Sequence, residues 1–217
     1  MTTTYAADTF TRPDGQVGNA ETGGAWTAAG AASTWGVASN QLTGQSNSVN
    51  GYEGLLTIND GQSDGAVQVT FVGGASVGLV FRYTSAKDYW VLTFGANNYI
   101  RLCYFNAGYT IKADPDAVAA IGDLFRVELT GPSIVVFRNG KQIISINDAT
   151  RVTATSHGLL TGGRAVSTFD AFSHYSLTST PAPNPTPTPT PTPVPAPTPT
   201  STVHRYFNIG GVAVPVS

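Results

Sequence analysis

Ten prolines occupy every odd position from Pro181 to Pro199, and no other feature of this 217-residue chain restricts its folding so severely. Proline fixes φ and lacks the backbone donor, so the stretch is barred from helices and from the interior of a sheet. Thr and Ala between most of the prolines leave nothing apolar to bury, and a polyproline II rod is expected. At about 3.1 Å per residue it would span on the order of 60 Å. The chain therefore divides into residues 1–179, a semi-rigid Pro/Thr-rich spacer over 180–202, and a tail over 203–217.

Residues 6 to 178 read as strands separated by turn clusters. Gly, Thr, Ser, Ala and Asn are abundant while Lys and Glu are scarce, which lowers helix propensity and favours extended chain. The clearest strands are "GAVQVTFV", "SVGLVFRYT", "DYWVLTF", "YIRLCYF", "LFRVELTG", "SIVVFRNGKQIISI" and "FDAFSHYSL", each alternating or rich in β-branched and aromatic residues. Asn139-Gly140 tolerates positive φ at both positions, so a tight type I′ hairpin is expected there. "DPDAVAAIGD", residues 114–123, is expected to be a short turn rather than a helix. One all-β domain of this length is ordinary, since β sandwiches of up to roughly 250 residues form single cores.

Several function classes are disfavoured. Charged residues make up 11% of the chain and its net charge is −2, so there is no basic patch for nucleic acid. No run reaches the roughly 18 apolar residues of a spanning helix, and membrane insertion is not expected. The N-terminus "MTTTYAADTFTRP" lacks the basic and apolar regions of a signal peptide, so synthesis in the cytoplasm is expected. Cys103 is the single cysteine, which excludes an intrachain disulfide and a cysteine-based zinc site. His157, His174 and His204 are dispersed along the chain, in no metal or triad pattern.

Period-two sorting places Leu79, Phe81, Trp90, Leu92, Phe94, Ile100, Leu102, Phe125, Val127 and Leu129 on core-facing sides. The opposite sides collect Arg82, Tyr89, Tyr99, Arg101, Arg126 and Glu128. Tyr and Arg supply stacking area and fork-shaped hydrogen bonding, which suits a sugar's C–H face and hydroxyls. Arg82, Tyr89, Tyr99, Arg101 and Glu128 are thus the candidate glycan-binding residues. The competing reading is the solvated side of a sheet with weak cross-strand ion pairs.

Laid out in this order, the chain resembles the concanavalin A-like lectin/glucanase superfamily, near its laminin G-like modules. The similarity rests on "DTFTRPDGQVGNAETGGAW", "STWGVASNQL", "VGLVFRYTSAKDYWVL", "DLFRVELTGPSIVVFRNGKQI" and "SHGLLTGGRAVSTFDAFSHYSL". It implies a two-sheet antiparallel jelly roll whose first and last strands are neighbours, with Phe10 near Phe169 to Phe172. Glycosidases of the superfamily carry a Glu-x-Asp-x-x-Glu motif, and hydrolysis needs paired carboxylates. Here the glutamates are Glu21, Glu53 and Glu128, none with Asp two positions later, so the domain is expected to be non-catalytic. Many members bind calcium, which makes Asp60 and Asp64 in "NDGQSDG" candidate ligands, although a plain Asp/Gly turn is the favoured reading.

The layout of jelly roll, stiff spacer and apolar "YFNIGGVAVPV" end also resembles minor tail or receptor-binding proteins of bacteriophages. That resemblance implies a virion location, other tail proteins as partners, a homo-oligomer with trimers favoured, and host cell-wall glycan as ligand. Tyr206, Phe207, Ile209, Val212 and Val214 are the candidate assembly residues, because extended apolar peptides add a strand to another chain's open sheet edge or to copies of themselves. Two alternatives stay open: a tail-decorating protein that binds no glycan, and a carbohydrate-binding module of a bacterial surface protein.

Overall fold

The structure is a computed structural model that describes residues 1–31, 33–46, 53–74, 76–94, 99–163 and 165–177, and the backbone of 206–209 and 212–215. The chain divides into two units, Met1–Ser179 and Thr180–Ser217. The first contains β1 (Thr4–Asp8), β2 (Gly15–Gln16), β3 (Thr27–Gly30), β4 (Ser33–Ala38), β5 (Gln41–Ser46), β6 (Gly54–Asn59), β7 (Gly65–Gly73) and β8 (Val77–Ser85). It continues with β9 (Asp88–Phe94), β10 (Ile100–Asn106), β11 (Tyr109–Ala113), β12 (Leu124–Thr130), β13 (Ser133–Arg138), β14 (Lys141–Asn147), β15 (Ser156–Thr161) and β16 (Ser167–Tyr175). No helix occurs among the described residues.

Two antiparallel sheets result. One has nine strands in the order β14-β13-β12-β7-β16-β5-β4-β2, with β1 also paired to β16, and the other has seven in the order β11-β10-β9-β8-β15-β6-β3. Successive strands such as β6 and β7, β7 and β8, and β15 and β16 cross from one sheet to the other, as a jelly roll requires. The alternation explains the sandwich. Leu79, Phe81, Trp90, Leu92 and Leu102 from the seven-stranded sheet share a buried core with Val67, Val69, Phe125, Val127 and Phe169 from the other. Phe94 stacks on Phe125 across the gap with ring centroids 4.5 Å apart. Burying each such ring contributes roughly 1.5–3 kcal/mol.

The first and last strands lie side by side, with Ala7 opposite Ser173 and Asp8 opposite Phe172. The N-terminal motif owes its residues to this seam. Fully buried Asp8 accepts hydrogen bonds from the Phe10 amide at 2.9 Å, Trp26 Nε1 at 2.8 Å and Arg12 Nη2 at 2.7 Å. Trp26 packs edge-on against Phe172 and lies beside Phe10, so Phe10 and Phe172 approach one another across its indole.

Asn139 and Gly140 adopt φ of 51° and 79° in the two-residue turn between β13 and β14, as the Asn-Gly pair predicts. Residues 114–123 are turn and bridge, with Val118 paired to Tyr99. The spacer over 180–202 lies outside the described residues. In the Thr180–Ser217 unit, β17 (Tyr206–Ile209) pairs antiparallel with β18 (Val212–Pro215), placing Phe207 opposite Val214 and Ile209 opposite Val212. The apolar tail thus forms a hairpin with itself, where the sequence suggested a single extended strand.

Candidate functional site

The outer face of the seven-stranded sheet is not the solvated surface that alternation suggests. Its side chains form a second apolar cluster: Leu55, Val80, Tyr89, Val91, Cys103, Phe105 and Leu160. Register builds it in rungs across β9, β10 and β11. Tyr89 faces Phe105 and Phe105 faces Tyr109; Val91 faces Cys103 and Cys103 faces Ile111; Thr93 faces Arg101. Gly78 keeps the floor low, since a Cβ there would lie 2.6 Å from Val91 Cγ2.

Over this floor lies a hollow of about 300 Å³ lined by Glu53, Ser76, Thr93, Tyr99, Arg101, Cys103, Tyr109, Ile111 and Leu160. Tyr99 and Tyr109 are each 41% exposed and offer ring surface at its walls. The Arg101 guanidinium sits 5.4 Å from the Tyr99 ring centroid, and Asp114 Oδ2 holds it through Nε at 2.8 Å. Opposite in character is Glu53. Burial pushes its carboxyl above the usual range against the opposing hydrogen bond from Tyr109, and its Oε2 is buried without a hydrogen-bond partner. The Tyr109 hydroxyl is in turn pushed well up by burial and by the neighbouring Tyr89 and Glu53. Burial raises the Cys103 thiol to about 11, so it is an inert part of the floor. The hollow combines aromatic walls, a cationic donor and an acceptor with spare capacity.

The structure divides the predicted residues. Tyr99 and Arg101 meet at the hollow. Tyr89 faces the same side but is buried, stacked 5.0 Å from Phe105 and beside the Tyr109 hydroxyl, and does not line the hollow. Arg82 turns the other way. The ladder slips between Phe81 and Ser85, and Arg82 itself has φ of 49°, so alternation fails at that bulge. Its side chain is buried and donates to the carbonyl oxygens of Gly131 and Asp148 beside the opposite sheet. Burial pushes this guanidinium down, and Asp64 and Asp148 oppose the shift. Glu128 lies on β12 in the nine-stranded sheet, 3.1 Å from Arg126 Nη2, on a different surface from the hollow. Alternation sorts inside from outside but does not say which sheet a strand joins.

Asp60 and Asp64 also separate. Asp64 Oδ2 accepts from the Gly131 amide at 2.9 Å, whereas Asp60 Oδ2 lies 2.6 Å from His174 Nδ1. Asn59 and Asp60 cap the amides of Gly61 and Gln62, the turn chemistry expected of this segment. The histidines correct a sequence expectation. His157 on β15 and His174 on β16 belong to different sheets, yet the sandwich brings their rings to 4.2 Å. Burial first, then His174, holds the His157 imidazole well below the usual histidine range.

Glu53, Tyr109 and Ile111 are among the lining residues that sequence reasoning missed. The alternation of Tyr109 and Ile111 after Gly108 was a usable hairpin signal; Glu53 precedes β6 with no pattern to mark it.

No protein-family model and no curated protein matches this chain. Solved structures do. The carbohydrate-binding module CBM66 from Bacillus subtilis matches at 16% identity and TM-score 0.51 over 70% of this chain and 91% of its own. Domain 4 of an extracellular arabinanase from Geobacillus stearothermophilus, solved with arabinotriose, matches at 12% identity and TM-score 0.52 over 81% and 93%. Porphyranase B from Zobellia galactanivorans matches at 10% and 0.53 over 81% and 92%. At these identities the likeness concerns the fold, a β-sandwich jelly roll consistent with the concanavalin A-like type.

Proposed function

We propose that the Met1–Ser179 unit is a non-catalytic glycan-binding module and that its ligand lies in the hollow of the seven-stranded sheet. The observation that carries this reading is the joint presence of the exposed Tyr99 and Tyr109 rings, Arg101, and the unpartnered Glu53 Oε2 around one apolar floor. The rings offer platforms for C–H faces, Arg101 donates to ring or hydroxyl oxygens, and Glu53 accepts from a hydroxyl. Carbohydrate-binding modules among the fold neighbours support it. Glycoside hydrolysis needs two carboxyl groups flanking the bond, and Glu53 is the one carboxyl side chain among the residues lining the hollow. That supports binding without turnover.

The finer reading is attachment of a bacteriophage tail to host cell-wall glycan, with the head held off by the proline spacer and residues 203–217 anchoring it, in several copies, to other tail proteins. Many weak contacts at high effective concentration then become firm attachment. Deleting residues 203–217 is expected to leave the first unit folded and to abolish incorporation into particles; normal incorporation would refute the anchor.

The test of the module is binding of the full chain to arabinotriose, purified bacterial wall glycans and intact walls, beside Tyr99→Ala and Arg101→Ala. Saturable binding weakened about tenfold by either change is expected, from the worth of one stacking contact or charge-assisted hydrogen bond. Absence of binding, or binding indifferent to both changes, would overturn the assignment.

A further inference from the structure

The interior of the sandwich holds a second polar cluster, separate from the hollow. His157 comes from the seven-stranded sheet, His174 from the nine-stranded sheet, and Asp60 from the turn that follows β6. All three side chains are essentially removed from solvent.

Their hydrogen bonds fix the tautomers. As a carboxylate Asp60 accepts, and His174 Nδ1 donates to it at 2.6 Å. The Gln62 carbonyl can only accept, so His157 Nε2 carries a proton and donates to it at 2.9 Å. In the neutral form of each ring the remaining nitrogen, His157 Nδ1 or His174 Nε2, bears a lone pair. Both atoms are buried and neither has a partner. Two unsatisfied lone pairs in one core are costly and call for an electrophile.

The surroundings are those of ligating imidazoles. A metal-bound histidine usually donates its other N–H to a carboxylate or a backbone carbonyl, and here one ring does each. A Cβ at Gly65 would lie 2.5 Å from His174 Nε2, so glycine at that position keeps the space beside this nitrogen open. Asp60, His157 and His174 each offer a donor atom within 4.8 Å of the other two. The two rings, with centroids 4.2 Å apart, are close enough to place one nitrogen each on a tetrahedral ion, whose donors lie about 3.4 Å apart at bonds of about 2.0–2.1 Å. We propose that His157 Nδ1 and His174 Nε2 ligate a divalent transition-metal ion in this buried cluster, zinc fitting two imidazole nitrogens with water completing its shell, while Asp60 and the Gln62 carbonyl hold the two rings from outside. Oxygen-seeking calcium and magnesium do not match that donor set. The ion would staple the two sheets through β15 and β16, a structural role in a sandwich that has no disulfide.

The experiment uses the full chain stripped with chelator, then titrated with Zn²⁺, Co²⁺, Ca²⁺ and Mg²⁺, both folded and during refolding from urea so that slow entry is not mistaken for absence of a site. One Zn²⁺ or Co²⁺ bound per chain is expected, with visible Co²⁺ absorption, a raised melting midpoint and no response to Ca²⁺ or Mg²⁺. His157→Gln is expected to weaken zinc binding by at least about 100-fold and Asp60→Asn by about 10–100-fold. His204→Ala, which alters the third histidine of the chain, should leave binding unchanged. Should the core variants fail to fold, Co²⁺ absorption and ion stoichiometry of the unmodified chain still decide. No bound ion under either condition would overturn the site and leave the lone pairs to buried water; binding abolished by His204→Ala would overturn it equally.

Discussion

Replacing Asp8 tests whether the seam between the first and last strands is held as described. Asp8→Ala removes the acceptor for the buried Phe10 amide and Trp26 indole N–H, each of which then costs about 1–3 kcal/mol. The Arg12 ion pair is 24% exposed on the arginine side and is worth at most about 1 kcal/mol more. Together these give a loss of about 3–5 kcal/mol, allowing for non-additivity within one network. For a unit of this size that lowers the melting midpoint by roughly 10–15 °C. Asp8→Asn is the sharper variant. Its amide nitrogen must take the place of one oxygen and set a donor against a donor, so it should cost nearly as much as alanine despite matching the carboxylate in shape. Urea unfolding of the full chain, followed by tryptophan fluorescence and circular dichroism, measures both. Asparagine costing under about 1 kcal/mol would show that the carboxylate is not the shared acceptor and that the seam rests on Trp26 packing alone.

Other perturbations probe other parts of the account. Gly158→Ala should be severely destabilising, by more than about 3 kcal/mol, because its Cβ would lie 2.0 Å from the Leu56 carbonyl oxygen in the β15/β6 ladder; a near-neutral melting curve would refute that packing. Gly140→Val should cost about 1–2 kcal/mol through its positive φ in the hairpin, read by the same unfolding curves. Asp123 is pushed up by burial, but hydrogen bonds from the Ala120 amide, Arg138 and Asn139 outweigh this and hold it below the usual carboxylate range. Because its folded value is the depressed one, its contribution is present at neutral pH and is lost as pH falls below about 4 toward that value. Asp123→Asn should therefore flatten the acid limb of stability against pH, and an unchanged limb would count against the network. With its thiol raised to about 11, Cys103 should react with a disulfide reagent at pH 8 about 100-fold more slowly than a free thiol. Ligand in the hollow should slow it further.

The sequence was most informative where local chemistry and global fold agree. Alternation in β8, β9, β10 and β12 identified the inner core residues, and Asn139-Gly140 identified its turn, because each depends on neighbours only a few positions away. The site was half legible. Tyr99, bridged to Val118 just before β10, stands two residues before Arg101; Arg101 lies on the regular β9/β10 ladder, so its side followed from period two. Arg82 did not, since a bulge is a tertiary accommodation that reverses one side chain without altering composition. Glu128 was misplaced because sheet membership is set by long-range pairing, here β12 with β7 and β13. The His157–His174 approach was equally hidden, as β15 and β16 are consecutive in the chain but belong to different sheets. Glu53 carries chemistry through its burial, which no local pattern encodes.

The claim that the hollow is the binding site is tested most directly by amide correlation spectra of the full chain titrated with whichever saccharide binds best. The account predicts perturbations gathered on Thr93, Arg101, Cys103, Tyr109 and Leu160, and their loss in Arg101→Ala. Perturbations centred instead on Arg126 and Glu128 of the nine-stranded sheet, or unchanged in Arg101→Ala, would contradict it.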